Sequence, residues 1–214
     1  MSASADKTLS IMKILLTIST LLALSISAAA QDWQTLFKTG DELTHWKTAE
    51  NVESVRLEEG NIVLNGKRAH LFYMGKNGNA SWKNFVVEVQ FKTAKNANAG
   101  LFFHTKWQDK GWPQQGYEAQ INATHKDPRK TGSIYSFKDC AKPGHQDNEW
   151  VTMNVKVEGK KATVTVNGKV TNQYTEPEDH KPATKRFGEG TFALQAHDPG
   201  SIVIVRSFRV KALP

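Results

Sequence analysis

Cysteine is almost absent from this sequence: Cys140 is the single cysteine among 214 residues. No intramolecular disulfide can therefore form, and a chain of this length can bury a core that is large enough to fold without one. Only His145 lies nearby as a potential base, so the sequence gives little support to cysteine nucleophile chemistry. We interpret Cys140 as a small, half-buried loop residue.

Helical periodicity is also missing after the first thirty residues. No window of a dozen residues repeats apolar side chains every 3.6 positions without glycine or proline, whereas alternating patterns are frequent. The segment FVVEVQFKT, residues 85–93, places four apolar side chains on one side, and Asn167-Gly168 between two alternating arms is typical of a two-residue hairpin. Roughly ten such segments, separated by turn residues, predict an all-β sandwich or jelly roll of antiparallel sheets.

A long hydrophobic run occurs once, as ILLTISTLLALSIS, behind Lys7 and Lys13 and ahead of AAAQ. A basic start, an apolar stretch and small residues are the three parts of a secretory signal peptide. The run is short for a membrane span of about 20 residues, which disfavours the alternative of an uncleaved anchor. We therefore predict a cleaved signal peptide over residues 1–30, a mature domain over residues 31–214, a periplasmic or extracellular location, and no membrane span after cleavage.

The net charge of +7 is not concentrated in any stripe, arginine-rich helix or basic tail. Nucleic-acid binding needs such a concentration, so no nucleic-acid partner is expected. Walker, H-E-x-x-H and G-x-S-x-G motifs are absent as well. His104, Glu118 and His197 have the chemistry of metal ligands, but their wide separation does not indicate a site, so neither metal nor cofactor is expected.

Several predicted strands carry polar and aromatic groups on one side. These rows are Phe102, His104 and Lys106; Glu118, Gln120 and Asn122; Ser133 and Tyr135; Trp150, Thr152 and Asn154; and Gln195 and His197. Aromatic rings stack on the apolar face of a sugar, and amides, acids and imidazoles bind its hydroxyl groups. The rows together favour a carbohydrate cleft, although each row alone is equally compatible with a face in contact with water.

Glu118 has no obvious carboxylate partner in these rows. Glycosidases generally use two carboxylates that flank the bond to be broken. The other acids fall in loops, at strand ends or, as for Glu88, on a strand with no indicated position. Ordinary two-carboxylate hydrolysis is therefore not well supported.

The ordered set of short motifs resembles the 3-keto-disaccharide hydrolase domain family. The motifs are WQTLFKTGDELTHWK, NAGLFFH, GYEAQI, TGSIY, the NEWVTMNVKVEG segment with its Asn-Gly hairpin, and GTFALQAHDPGSIVIVRSFRVKAL. The likeness runs from Asp32 to Leu213. It implies a concanavalin-like jelly roll and cleavage of glycosides that are already oxidised to a ketone at carbon 3.

That chemistry needs a single base rather than a carboxylate pair. The ketone acidifies the proton on carbon 2, a base removes it, the enolate expels the group at carbon 1, and water adds to the enone. On this resemblance, the predicted catalytic residues are Glu118, His104 and His197. The predicted substrate-binding residues are Lys106, Gln120, Tyr135, Trp150 and Gln195. The alternative is a lectin-like module that binds carbohydrate without catalysis.

Overall fold

The computed structural model describes residues 32–214, so the predicted signal peptide lies outside the described residues. The described residues contain thirteen strands: β1 (Gln34–Phe37), β2 (Trp46–Ala49), β3 (Val55–Glu58), β4 (Asn61–Leu64), β5 (Ala69–Tyr73), β6 (Phe85–Thr93), β7 (Ala99–Thr105), β8 (Tyr117–Ile121), β9 (Val151–Glu158), β10 (Lys161–Val166), β11 (Lys169–Thr175), β12 (Thr191–Ala196) and β13 (Val203–Ala212). Two short 3-10 helices, Asp41–His45 and Val52–Ser54, complete the regular structure. Within residues 32–214 no helix is long and apolar enough to cross a membrane.

The strands form two antiparallel sheets. The larger sheet has the order β11-β10-β9-β6-β13-β4-β3, with β1 paired to β13, and the smaller sheet has the order β2-β5-β12-β7-β8. This architecture confirms the predicted concanavalin-like jelly-roll sandwich. Aromatic and aliphatic side chains from both sheets form one large core between them.

Alternation of side chains determines which residues enter that core. In β6 the four predicted apolar positions, Phe85, Val87, Val89 and Phe91, are fully buried, as the two-residue period of a strand requires. The predicted hairpin is also confirmed: β10 and β11 pair through Asn167 and Gly168, whose φ angles of 49° and 77° suit a tight hairpin turn.

The smaller sheet presents a second, more polar face on the side away from the core. Phe103 and Leu194 point into the core. Their neighbours Phe102 and Ala193 lie in a separate apolar cluster on the opposite face. Because Glu118 is directly opposite Phe102 in the register of β7 and β8, its side chain emerges on this second face.

A β-bulge interrupts the alternation of β7 at His104. Thr105 and Phe103 pair with the consecutive residues Thr191 and Phe192, so His104 is an extra residue in its strand, with a φ of 54°. Side chains beyond a bulge no longer follow the alternation set before it. This irregularity matters for the site, because the sequence pattern assumes that β7 alternates to its end.

Candidate functional site

A cleft of about 620 Å³ lies over the second face of the smaller sheet. This is within the usual size range of small-molecule sites. Its lining comprises Asn98, Phe102, Trp112, Pro113, Gln114, Gly116, Tyr117, Glu118, Gln120, Asp127, Tyr135, Ser136, Phe137, Pro182, Thr184, Lys185, Gln195 and His197. Strands β7, β8 and β12 supply the floor, and the loops after β7, β8 and β11 supply the walls.

Glu118 lies on the floor of the cleft, surrounded by protein but still partly accessible. Its carboxylate lies over Gly100, where any side chain would overlap with it. The side-chain amide of Gln195 donates a hydrogen bond of 3.4 Å to Glu118 Oε1. Burial raises the pKa of Glu118 to about 8, although the charge of Lys185 and the Gln195 hydrogen bond act in the opposite direction.

Lys185 brings a cation into the same cleft from the loop between β11 and β12. Its ammonium group donates a hydrogen bond of 2.6 Å to the carbonyl of Pro113. Burial lowers the pKa of Lys185, and the nearby charge of Glu118 partly counteracts this effect. A half-buried amine and a half-buried carboxyl group that share a cleft and shift each other's pKa are the kind of groups that functional sites use.

Buried Glu176 anchors the loop that carries Lys185. Its carboxylate accepts hydrogen bonds of 2.7 Å from the Tyr117 hydroxyl group and from the backbone N–H of Phe187. Arg186 pairs with the second carboxylate oxygen at 3.4 Å. These contacts join the loop to β8, the strand of Glu118, so Lys185 and Glu118 belong to one packed unit.

His197 and Asp198 form a hydrogen-bonded pair at the end of β12. The imidazole Nδ1 lies 2.7 Å from Asp198 Oδ2. Burial would raise the pKa of Asp198, but hydrogen bonds from His197, Ser201 and the Gly200 backbone outweigh it and hold this pKa below its usual value. An ionised carboxylate on Nδ1 orients the ring and leaves Nε2 for proton transfer.

Two glutamine side chains in the cleft have unused acceptors. Gln120 donates to Asn98 Oδ1 at 2.7 Å, but its own Oε1 and that of Gln195 are buried without a partner in the part of the chain that the structure describes. Buried polar groups are nearly always hydrogen-bonded. Such acceptors suit the hydroxyl groups of a bound ligand.

Asp127 is a second carboxylate in the cleft, which the sequence reasoning did not identify. It accepts a hydrogen bond of 2.8 Å from the Arg129 backbone and lies 3.6 Å from the Arg129 guanidinium group. Its charge helps to raise the pKa of Glu118. The carboxylate is thus engaged by its own loop rather than directed at Glu118 as half of a symmetric pair.

Five predicted site residues line the cleft together. They are Glu118, His197, Gln120, Tyr135 and Gln195. Three elements of the polypeptide supply them: β8, the end of β12 and the loop after β8. The geometry therefore supports the predicted convergence of the polar rows for these residues, while their chemical roles stay proposals.

The structure does not bring the other three predicted residues to the cleft. His104, at the bulge, is buried against Phe85 and Phe187, and its Nε2 lies 2.8 Å from the Lys83 carbonyl. Lys106, beyond the bulge, instead borders a separate pocket of about 320 Å³. His104, predicted as a catalytic residue, and Lys106, predicted as a substrate-binding residue, therefore lie outside the cleft.

Trp150 lies on the other sheet, where no cleft-lining residue is found. It immediately precedes β9, and the side chains of Lys92 and Arg206 pack over its ring at 5.1 and 4.3 Å. Those two residues belong to β6 and β13 of the larger sheet. The alternation of its row was read correctly, but sequence alone does not say which sheet a strand joins.

Lys185, Trp112 and Asp127 are the functional candidates that sequence reasoning missed. Lys185 is one of 28 basic residues in the sequence, and no spacing distinguishes it. Trp112 gave a usable signal, because a tryptophan between glycine and proline in a polar loop has little reason to face a core. No group of three or more His, Cys, Asp or Glu residues suited to a metal ion occurs within residues 32–214.

Comparisons with known proteins agree with this architecture. Residues 32–211 match the sequence model of the 3-keto-alpha-glucoside-1,2-lyase-like domain. A search of curated proteins finds no match to the chain.

Solved structures share the fold. A candidate glycosyl hydrolase from Parabacteroides distasonis superposes with a TM-score of 0.70 at 21% identity, covering 85% of this chain and 94% of that one. The carbohydrate-binding module CBM66 from Bacillus subtilis gives 0.57 at 13% identity, covering 78% and 96%. The mannose-bound lumenal domain of VIP36 gives 0.55 at 13% identity, covering 79% and 83%. At these identities the likeness concerns the fold alone.

Proposed function

The chain belongs to the 3-keto-alpha-glucoside-1,2-lyase-like domain family, and from this premise we propose that it cleaves 3-keto-glycosides by elimination and hydration. The observation that carries the proposal is that the two carboxylates in the cleft, Glu118 and Asp127, have different environments. Glu118 is half-buried, has a raised pKa, accepts a hydrogen bond from Gln195 and shares the cleft with Lys185, whereas Asp127 is engaged by Arg129. One basic carboxylate, one cation and one imidazole are what elimination next to a ketone requires.

Glu118 acts as the base. A carboxylate with a pKa near 8 is a stronger base than an exposed one, and it still ionises near neutral pH. It removes the proton from carbon 2 of the 3-keto sugar, and the electron pair of that C–H bond forms the enolate. Gly100 keeps the space above the sheet free for the carboxylate.

Lys185 stabilises the negative charge that develops on the ketone oxygen. Its ammonium group is already held at the cleft wall by the Pro113 carbonyl, so little reorganisation is needed during the reaction. His104 and Lys106, predicted as a catalytic and a substrate-binding residue, do not line the cleft and are not available for this role.

His197 protonates the departing oxygen. Asp198 holds Nδ1 and so orients the ring, which leaves Nε2 to deliver the proton that the departing oxygen takes when its bond to carbon 1 breaks. Water then adds across the resulting enone, with its hydroxyl group at carbon 1 and its proton at carbon 2. The balance is one glycoside and one water giving a free 3-keto sugar and the released alcohol.

The secreted location, predicted from residues 1–30, fits a role in processing external glycosides and remains part of this proposal. A direct test offers the mature protein 3-keto-trehalose and unoxidised trehalose. Turnover of the keto sugar alone, lost in Glu118→Gln, supports elimination. Cleavage of unoxidised trehalose at a similar rate contradicts it, and binding of both sugars without turnover supports a lectin-like module instead.

A further inference from the structure

Trp112 is exposed in the wall of the cleft and has no core to fill. Its side chain is 46% exposed, although it is among the largest apolar groups of the protein. Within residues 32–214, Trp112 is the only tryptophan that lines the cleft. An exposed aromatic group inside a concave polar site is characteristic of carbohydrate binding.

Hydrogen bonds hold the loop of Trp112 in one conformation. The side-chain amide of Gln108 donates to the carbonyls of Lys110, Gly111 and Trp112 at 2.7, 3.1 and 3.0 Å. The Gln108 side-chain oxygen accepts the backbone N–H of Gln114 at 3.0 Å. One side chain thus organises the whole turn.

A second anchor ties this turn to the sheet. Glu50 accepts the Gly111 backbone N–H at 2.8 Å and pairs through both oxygens with Arg68, at 2.9 and 3.0 Å. The Arg68 guanidinium group packs over the Trp112 ring at 5.1 Å. A ring that is positioned before binding loses little conformational entropy when a ligand stacks on it.

The position of Trp112 relates it to the reacting groups. Its ring centroid is 5.5 Å from that of His197, the residue proposed to protonate the leaving group. Gln195, which contacts Glu118, precedes His197 by two residues, or about 7 Å along an extended chain. Trp112 therefore lies next to the proposed acid, His197, whose chain segment also carries the Gln195 that contacts Glu118.

We propose that Trp112 forms a subsite for the leaving group and that this subsite takes a second pyranose ring. The inference rests on the proposed function for its assignment of the leaving-group side. Trp112 would accordingly determine how strongly the site prefers a 3-keto disaccharide to a 3-keto glycoside of a small alcohol. The ring at carbon 1 stacks on the indole, while the oxidised ring occupies the floor above Glu118.

The test compares two substrates in three proteins. The substrates are a 3-keto disaccharide and the 3-keto derivative of methyl glucoside, and the proteins are the wild type, Trp112→Ala and Trp150→Ala. Trp150 is a matched control, since it is 37% exposed but packs against residues of the larger sheet. The readout is the ratio of kcat/KM for the disaccharide to kcat/KM for the methyl glycoside.

We expect Trp112→Ala to lower this ratio about fivefold to tenfold, as the loss of one aromatic stacking partner implies, and Trp150→Ala to leave it unchanged. The ratio is insensitive to a disturbance of His197, which affects both substrates alike. An unchanged ratio in Trp112→Ala overturns the subsite even when the wild type cleaves both substrates.

A binding measurement separates this failure from failure of the proposed function. Titration calorimetry compares unoxidised disaccharide and methyl glucoside on wild type and Trp112→Ala. If no keto sugar is turned over, elimination is wrong. In that case the subsite is supported only if the wild type binds the disaccharide more tightly than methyl glucoside and Trp112→Ala abolishes this difference. Absence of that preference in both assays contradicts the subsite.

Discussion

The carboxylate of Glu118 lies directly over the α-carbon of Gly100, on the neighbouring strand of the smaller sheet. A methyl group at position 100 would overlap with Glu118 Oε1 and with the carbon atoms behind it. Glycine within a strand costs stability because it packs no side chain. Here the missing side chain of Gly100 leaves the space that the Glu118 carboxylate occupies.

Gly100→Ala is therefore expected to displace Glu118 and to reduce turnover of a 3-keto glycoside by more than tenfold. The stability cost should be about 1–3 kcal/mol, typical of overpacking. Gly188→Ala is the matched control, since that glycine has open space around it and no unusual φ. Steady-state kinetics with thermal unfolding check the result, and wild-type kinetics in Gly100→Ala would contradict it.

The buried carboxyl group also predicts a pH dependence of stability. The pKa of Glu118 is raised to about 8 in the folded protein, so the native state binds an extra proton between pH 4.5 and 8, and its stabilising effect is lost as the pH rises through 8. Glu118→Gln removes this titration. Its free energy of unfolding should exceed that of the wild type increasingly from pH 5 to 8, by up to a few kcal/mol.

Urea unfolding at several pH values measures this difference. Glu53→Gln, at an exposed position on the surface, serves as the control. A difference between Glu118→Gln and the wild type that is constant from pH 5 to 8 would show that Glu118 ionises normally. The role of base would then lose its electrostatic support.

Lys185 is expected to act as a charge rather than as a packing element. Lys185→Met keeps much of the side-chain volume but removes the cation, and kcat should fall about 10²–10³-fold, the usual cost of losing one donor to a developing oxyanion. Lys181→Met, an exposed change in the same loop, should have little effect. A comparable loss in both variants would instead point to a general disturbance of the loop.

Asp198 is expected to act through His197. Asp198→Asn removes the carboxylate that orients the ring through Nδ1, so Nε2 is less well aligned with the departing oxygen and kcat should fall with little change in KM. The rate should fall at least tenfold. Asp179→Asn, an exposed change in the loop before β12, is the control, and a wild-type kcat in Asp198→Asn would contradict the orienting role.

The sequence was sufficient for the fold because alternation survives tertiary packing. The buried side of β6 and the Asn167-Gly168 hairpin follow directly from local chemistry. Glu118, Gln120 and Gln195 converge for the same reason, since β8 and β12 are regular and flank β7 in one sheet.

The three predicted site residues outside the cleft, His104, Lys106 and Trp150, show where alternation stops being informative. A non-glycine residue with positive φ, His104, inserts an extra position into β7, and no feature of FFHTKW signals it. The predicted place of Trp150 in the cleft was wrong for a different reason. The sheet that a strand joins depends on long-range pairing, which alternation does not reveal. Lys185 reaches the cleft only through the fold of a long loop, and that fold depends on buried Glu176.

Transfer of the proton at carbon 2 tests the central claim most directly. A 3-keto glycoside that carries deuterium at carbon 2 is offered to the mature protein, and the rate and the label in the product are followed by NMR. Elimination predicts a primary isotope effect on kcat/KM where proton abstraction limits the rate, and loss of the label to solvent in the released 3-keto sugar, both abolished with turnover in Glu118→Gln. Complete retention of deuterium at carbon 2, with no isotope effect and with equal cleavage of the unoxidised glycoside, would contradict the account.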